Sequence, residues 1–327
     1  MENTADRPAG IDPAVFSLEA VDPETSAFNE QLEKTLSEFP PLHTLSPEIL
    51  RQAQEQGLGP YAGIQVAENA QDRTIPGPAG PVPVRVHVPE IVKGVYLHFH
   101  GGGFVLGKPI LNDLAMERLA NDCSVAVVSV DYRLAPEHPY PAGPDDCEAA
   151  ALWLVDNAVK EFGADRLLVG GESAGGNLSA VTLVRLRDKH GFTGFIGANL
   201  VYGVFDLSMT PSSKNWGDRP LLINTPLMDY FNNHYTKPEL LRHPDVSPLY
   251  ADLKGLPPAL FTVGTEDPLL DDSLFMYARW ISAGNKGELA VFPGACHGFN
   301  NFPLKAADRS NQRIAEFIKR VVDFPDR

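Results

Sequence analysis

Apolar positions change their period along this chain, and the changes divide it. Phe28, Leu32 and Leu36 recur every fourth residue behind Asp22-Pro23. Asp can cap there and Pro can take the first helical position, so a helix is predicted from that point. A second is predicted from Ser46-Pro47 to about Gln56. These two amphipathic helices are too small to enclose a core and must lie on something else. Residues 1 to about 20 show little pattern and read as a tail or an extended arm. From about residue 62 the period becomes that of strands. Val82–Val88 alternates as an edge or half-buried strand does. Largely apolar runs follow at Val95–Phe99, Ser124–Val130, Leu167–Val169, Phe195–Val201, Ala259–Val263 and Glu288–Phe292. Helical stretches lie at Leu111–Asn121, Asp145–Phe162 and about Ala174–Arg187, with a last one from about Asp308 to Val322. Short apolar strands alternating with helices specify an α/β fold, a mostly parallel sheet with helices on both faces. Phe205–Tyr250 breaks the rhythm with a polar loop, a helix capped at Thr225-Pro226 and prolines at 238 and 244. It reads as an insertion over the same end of the sheet as the first two helices.

Composition narrows the class. A length of 327 residues suits one large α/β domain with a small accessory element. The 43% apolar and 21% charged fractions are those of a folded globule. No run approaches the roughly 18 apolar residues of a membrane span, and Met1–Gly10 lacks the basic-then-apolar order of a secretory signal. A soluble cytoplasmic protein with no membrane partner is expected. A net charge of −15 argues against a nucleic-acid partner, which needs clustered Lys and Arg, and suits an enzyme of a neutral substrate. The three cysteines, Cys123, Cys147 and Cys296, make neither a disulfide framework nor a metal cluster. With no His-Glu-x-x-His motif either, no metal and no cofactor are expected.

Two segments carry chemistry. In Leu167–Leu178 a strand runs through Gly171-Glu172-Ser173-Ala174-Gly175 into a helix. To stand exposed at a strand end, Ser173 must occupy a sharp, strained turn, which brings the positions two before and two after it together; glycines answer that need. The bare pentapeptide also arises by chance, so its flanks matter as much as its letters. His98-Phe99-His100-Gly101-Gly102-Gly103-Phe104 follows another strand. Its glycines could be mere turn residues, but they also bare backbone N–H groups as a tetrahedral oxyanion requires. Gly102, Gly103 and Ala174 are the candidate donors, each worth on the order of 3 kcal/mol of transition-state stabilisation. His100 is expected to order this loop by a hydrogen bond, and His98 to pack.

His-Gly-Gly-Gly, Asp131-Tyr132-Arg133-Leu134-Ala135-Pro136-Glu137 and Gly-x-Ser-Ala-Gly-Gly-Asn-Leu occur in that order. Ser247-Pro248-Leu249, Leu256-Pro257-Pro258-Ala259, Asp267-Pro268-Leu269 and His297-Gly298-Phe299 continue the series. Together they resemble the hormone-sensitive-lipase-like branch of the α/β hydrolases, the bacterial family IV esterases, over most of residues 80 to 300. One departure is Glu172, where that family more often carries Asp. The resemblance implies an α/β-hydrolase fold with a small helical cap made of residues 1–55 and 205–250, over a core of 56–204 and 251–327. It implies a serine carboxylesterase acting on a small-molecule ester of short to medium acyl chain, and a homodimer.

In such enzymes the acid and then the histidine follow the serine. His234 and His243 fall in the insertion, whereas His297 follows the strand Glu288–Phe292 after a short loop and is the expected general base. Four acids compete after the strand Ala259–Val263: Glu266, Asp267, Asp271 and Asp272. The resemblance selects Asp267, with Glu266 next. Asp131–Glu137 is expected to buttress the oxyanion loop through Arg133. Cys296 reads as a packed residue, and Phe104, Tyr202 and Trp216 as candidates to line a pocket. Two other classes compete. A binding protein on this scaffold would have lost a triad member, and an amidase would turn over peptides beside or instead of esters.

Overall fold

Strands that are apolar on both faces are satisfied only between two layers, and alternate residues must then serve different cores. The computed structural model, which describes residues 11–58 and 64–324, has that arrangement. Val95, Leu97 and Phe99 enter one core while Tyr96 enters the other; in the next strand Val128 and Val130 face the first core, Val125 and Val127 the second. Among the described residues eight strands form one sheet: β1 Gln71–Gly77, β2 Gly80–His87, β3 Gly94–Phe99, β4 Val125–Val130, β5 Leu167–Glu172, β6 Phe195–Val201, β7 Ala259–Glu266 and β8 Gly287–Cys296. Their order is β1-β2-β4-β3-β5-β6-β7-β8. The β1–β2 and β2–β4 pairs are antiparallel and the rest parallel.

The helices are α1 Pro23–Ser37, α2 Pro47–Gln56, α3 Asp113–Cys123, α4 Ala142–Phe162, α5 Ala174–His190, α6 Pro211–Asn215, α7 Thr225–Tyr235, α8 Leu270–Ser282 and α9 Lys305–Asp323. Buried residues of α4, α5 and α8 fill the first core, and those of α3 and α9 the second. The chain is an α/β-hydrolase fold, as the family resemblance implies. No described helix is long and apolar enough to cross a membrane.

Several expectations need correction. β2 is not an edge strand: β1, which has only Ile75 fully buried and so no periodic signal, covers it. The inward Arg85 of β2 is answered by the buried Asp113, at 2.5 and 2.6 Å. The helix α8 goes beyond the sequence reading, because its acidic first turn, Asp271-Asp272, looks like loop. The cap of α7 is Asn224, one residue earlier than expected, whose side chain accepts from Leu227 N at 3.0 Å. Residues 11–20 are not a free arm but form two 3-10 turns, Pro13–Phe16 and Leu18–Ala20, against β8. Residues 1–10, on which the expected tail and the reading of the N-terminus also fall, lie outside the described residues.

Both segments outside the sheet are tied to its loops. In α1, Asn29 donates to Gly294 O at 2.8 Å. In α2, Arg51 donates to Val105 O at 2.8 Å and Ala135 O at 2.6 Å, and forks onto Glu137 at 2.8 and 2.9 Å. Tyr230 of α7 donates to Leu45 O at 3.0 Å, joining the two segments.

Candidate active site

The end of β5 meets the start of α5 at Ser173, whose φ of 56° and ψ of −117° are strained for a residue with a side chain. A Cβ on Gly171 would lie 2.1 Å from Phe99 O and 2.7 Å from Gly175 C; one on Gly175 would lie 1.8 Å from Phe99 O. The bend therefore requires glycine on both sides, and it leaves the serine hydroxyl clear of the sheet.

β8 ends at Cys296, so His297 is carried to the same edge. Its Nε2 lies 3.0 Å from Ser173 Oγ and its Nδ1 2.9 Å from Asp267 Oδ2. A ring nitrogen facing a carboxylate carries the proton, which leaves Nε2 free to accept from the serine. Asp267 follows β7 and is 1% exposed. Its Oδ1 accepts from Leu269 N at 2.8 Å, which fixes the carboxylate plane.

The rival residues are engaged elsewhere. Glu266 pairs with Arg219, which also holds Glu33 of α1 at 2.7 Å. Asp271 accepts from Ser212 N, while the buried Asp272 accepts from Phe205 N, Asp206 N and Thr210 Oγ1 at 2.7, 2.8 and 2.6 Å. His234 donates to Tyr230 O, and His243 accepts from Asp245 N. Burial pushes the Cys296 thiol up to about 12, far from the thiolate a nucleophile would need. Among the described residues no group of three or more His, Cys, Asp or Glu is arranged to hold a metal ion.

The oxyanion loop is set one peptide plane at a time. A trans peptide points its C=O and its N–H in opposite directions, so holding the oxygen aims the amide. His100 Nδ1 donates to Gly101 O at 2.7 Å, which orients the N–H of Gly102. Gly102 O receives Val105 N at 3.1 Å and Leu106 N at 2.8 Å, which orients the N–H of Gly103. Gly102 needs its glycine: at φ 117° a Cβ would lie 2.2 Å from Leu106 O. Ala174 is the first residue of α5, where an amide has no intrahelical acceptor. The amides of Gly102, Gly103 and Ala174 have no protein acceptor among the described residues.

Three residues of this loop escaped the sequence reading. Glu172 accepts from Gly101 N, Tyr132 donates to His100 O at 2.7 Å, and His98 bonds to Glu172 rather than merely packing. Arg133 does not buttress the loop; it pairs with Asp146 of α4 at 2.8 and 2.9 Å. Tyr132 and Ala135, whose N–H donates to Phe104 O at 3.0 Å, do that instead. The signal available was a tyrosine two residues after the end of β4, inside the motif Asp131–Glu137.

A pocket opens on Ser173 and Gly103, walled by Phe104, Met209, Met228 and Phe231. Its apolar walls beside the serine hydroxyl are those of a small-molecule site. Of the other aromatic candidates, Tyr202 lies beneath His297 with ring centroids 4.6 Å apart, and Trp216 packs under Arg219.

His100 is fully buried, and burial pulls its imidazole down to about 4 despite its bond to Gly101 O. Unfolded, it takes its proton near pH 6.5, so below that pH the unfolded chain alone gains one. The contribution of His100 to stability is complete above about 6.5 and falls towards pH 4, by about 3 kcal/mol at 1.36 kcal/mol per pH unit. His87, also lowered by burial, adds a slope of the same sign, whereas Asp272, which burial raises to about 7, adds one of opposite sign. His100→Gln removes this contribution, so in denaturant titrations its stability relative to the parent should rise as pH falls from about 6.5 to 5.

Comparison with known proteins follows the same line. A family model described as the alpha/beta hydrolase fold matches residues 96–301. Carboxylesterase NlhH of Mycobacterium tuberculosis is 37% identical over 260 residues, 74% of this chain and 79% of its own. Esterase LipI of the same organism is 32% identical over 91% of each chain. A hyperthermophilic esterase from the archaeon Pyrobaculum calidifontis superimposes with a TM-score of 0.82 at 32% identity, covering 92% of this chain and 98% of that one.

Proposed function

The chain belongs to the hormone-sensitive-lipase-like branch of the α/β-hydrolase family and is a carboxylesterase, and from that premise we propose that it works through an acyl-enzyme on Ser173. Ser173 Oγ attacks the ester carbonyl carbon as His297 Nε2 takes its proton, and the carbonyl oxygen becomes an oxyanion held by the amides of Gly102, Gly103 and Ala174. Asp267 holds the imidazole in the required tautomer and stabilises its charged form. The C–O bond to the leaving alcohol breaks as His297 returns the proton to it. Water, deprotonated by His297, then attacks the acyl-serine; the acyl C–Oγ bond breaks as His297 returns the proton to Ser173 Oγ, and the acid is released.

The observation that carries this reading is the chain of hydrogen bonds at 3.0 and 2.9 Å from Ser173 through His297 to Asp267. The apolar pocket beside Ser173 supports acyl chains of short to medium length, and residues 1–55 and 205–250 serve as its cap over the core of 56–204 and 251–327. The test is a series of p-nitrophenyl esters of increasing acyl length. The ratio kcat/KM should peak among chains of roughly two to eight carbons, which the apolar walls of Phe104, Met209, Met228 and Phe231 can cover. A fluorophosphonate should label Ser173 alone, at one equivalent. A peak at long chains would refute the pocket reading, and a label on another residue the nucleophile.

A further inference from the structure

Directly before Ser173 stands an acid that the chemistry above does not use. The Glu172 carboxylate has three partners: Gly101 N at 2.8 Å and Asn112 Nδ2 at 2.7 Å on Oε1, and His98 Nε2 at 2.9 Å on Oε2. His98 in turn sets its Nδ1 2.9 Å from Ser129 Oγ of β4. The ends of β3, β4 and β5 are thereby fastened to one oxygen pair. A fixed negative charge so close to a developing oxyanion opposes the reaction on electrostatics alone. Its presence in this place therefore calls for a compensating role.

That role lies in the first peptide of the glycine run. The N–H of the 100–101 peptide points to Glu172, and its C=O receives the Tyr132 hydroxyl at 2.7 Å. Held at both ends, this plane cannot rotate, whereas three successive glycines would otherwise sample many conformations. The packing agrees: a Cβ on Gly101 would lie 3.1 Å from Glu172 O and 3.3 Å from its Cγ, so loop and acid are in contact. The planes of 101–102 and 102–103, whose amides face the pocket, continue from this anchored one. Burial acts to raise the Glu172 carboxyl, but the charge and hydrogen bond of His98 and the Gly101 amide outweigh it and hold the group below the usual carboxylate range. It is an ionised acceptor at neutral pH.

We propose that Glu172 is a positioning residue that preorganises the oxyanion amides by gripping the Gly101 N–H, with His98 directing its carboxylate; this rests on the ester-hydrolysis reading above. An aspartate at this position has one methylene less with which to reach the loop. The glutamate spans to Gly101, Asn112 and His98 together.

The experiment compares Glu172→Ala with Glu172→Gln on p-nitrophenyl acetate. Glu172→Ala should lower kcat about 100-fold with KM within about twofold, because the loss concerns an interaction that strengthens only in the transition state. Affinity for a trifluoromethyl ketone, which adds to Ser173 and places an oxyanion in the site, should fall in parallel, while that for the unfluorinated ketone stays constant. Glu172→Gln keeps an acceptor for Gly101 N, and His98 can accept its amide, so it should recover kcat to within about fivefold of the parent. Should the alanine variant not fold, Tyr132→Phe keeps the ring stacked on His100 and frees the other end of the same peptide. It should lower kcat about tenfold at constant KM. An unchanged kcat, a loss carried by KM, or equal weakening of both ketones overturns the proposal. Fluorophosphonate labelling of the unaltered enzyme does not depend on it, so failure there belongs to the ester-hydrolysis reading instead.

Discussion

Ser173→Ala is expected to lower kcat by about 10⁶-fold, to the level that binding and oxyanion amides alone sustain. The hydroxyl makes one hydrogen bond, to His297 Nε2, so its removal leaves that ring nitrogen alone without its partner. Alanine has the same Cβ and bears the same positive φ, and stability should stay within about 1 kcal/mol of the parent. Loss of rate is then a loss of chemistry and not of fold. Fluorophosphonate labelling should vanish with it. Thermal melting measured beside steady-state turnover separates the two, and turnover retained by a folded variant would remove Ser173 from the mechanism.

The second large effect concerns the acid. Asp267→Asn should depress kcat by about 10⁴-fold. The reason lies in Leu269 N, which requires an acceptor at Oδ1 and so turns the amide NH₂ of an asparagine towards His297 Nδ1. Donor would then face donor, the ring proton would shift to Nε2, and the imidazole could no longer accept from the serine. Glu266→Gln provides the contrast. Its side chain is 37% exposed and paired with Arg219, a contact of surface type, and kcat should stay within about threefold. The reverse ordering of the two variants would transfer the role to Glu266.

What could be read from the residues follows from where the information is local. The strands β3 to β7, buried on both faces over most of their length, stand close to their expected ranges, as do α1 to α5, whereas the partly buried β8 runs on through the expected loop Pro293–Cys296 to reach His297 directly. β1 was invisible because a strand with only Ile75 fully buried has no pattern to display. α8 was hidden by acids that satisfy distant backbone rather than water: Asp272 receives amides from residues 205 and 206, more than sixty positions away. The glycines of the elbow and loop were legible as steric requirements, and the clashes at Gly171, Gly175 and Gly102 show why. The supports of the oxyanion loop were not legible. Glu172, His98 and Tyr132 act through partners on three different strands or loops, and nothing in the spacing of an acid, an imidazole and a phenol announces a shared peptide plane.

Arg51 carries a consequence for protein engineering. One guanidinium on α2 grips the carbonyls of Val105 and Ala135 and the carboxylate of Glu137, so the leading segment and the loops beside the nucleophile form a matched set. Recombination between homologues that exchanged residues ahead of position 58 would import a foreign arginine, or none, onto these acceptors. Productive crossovers should therefore transfer α2 together with residues 105 and 135–137, and grafts that split them should lose turnover even where every residue around Ser173 is retained.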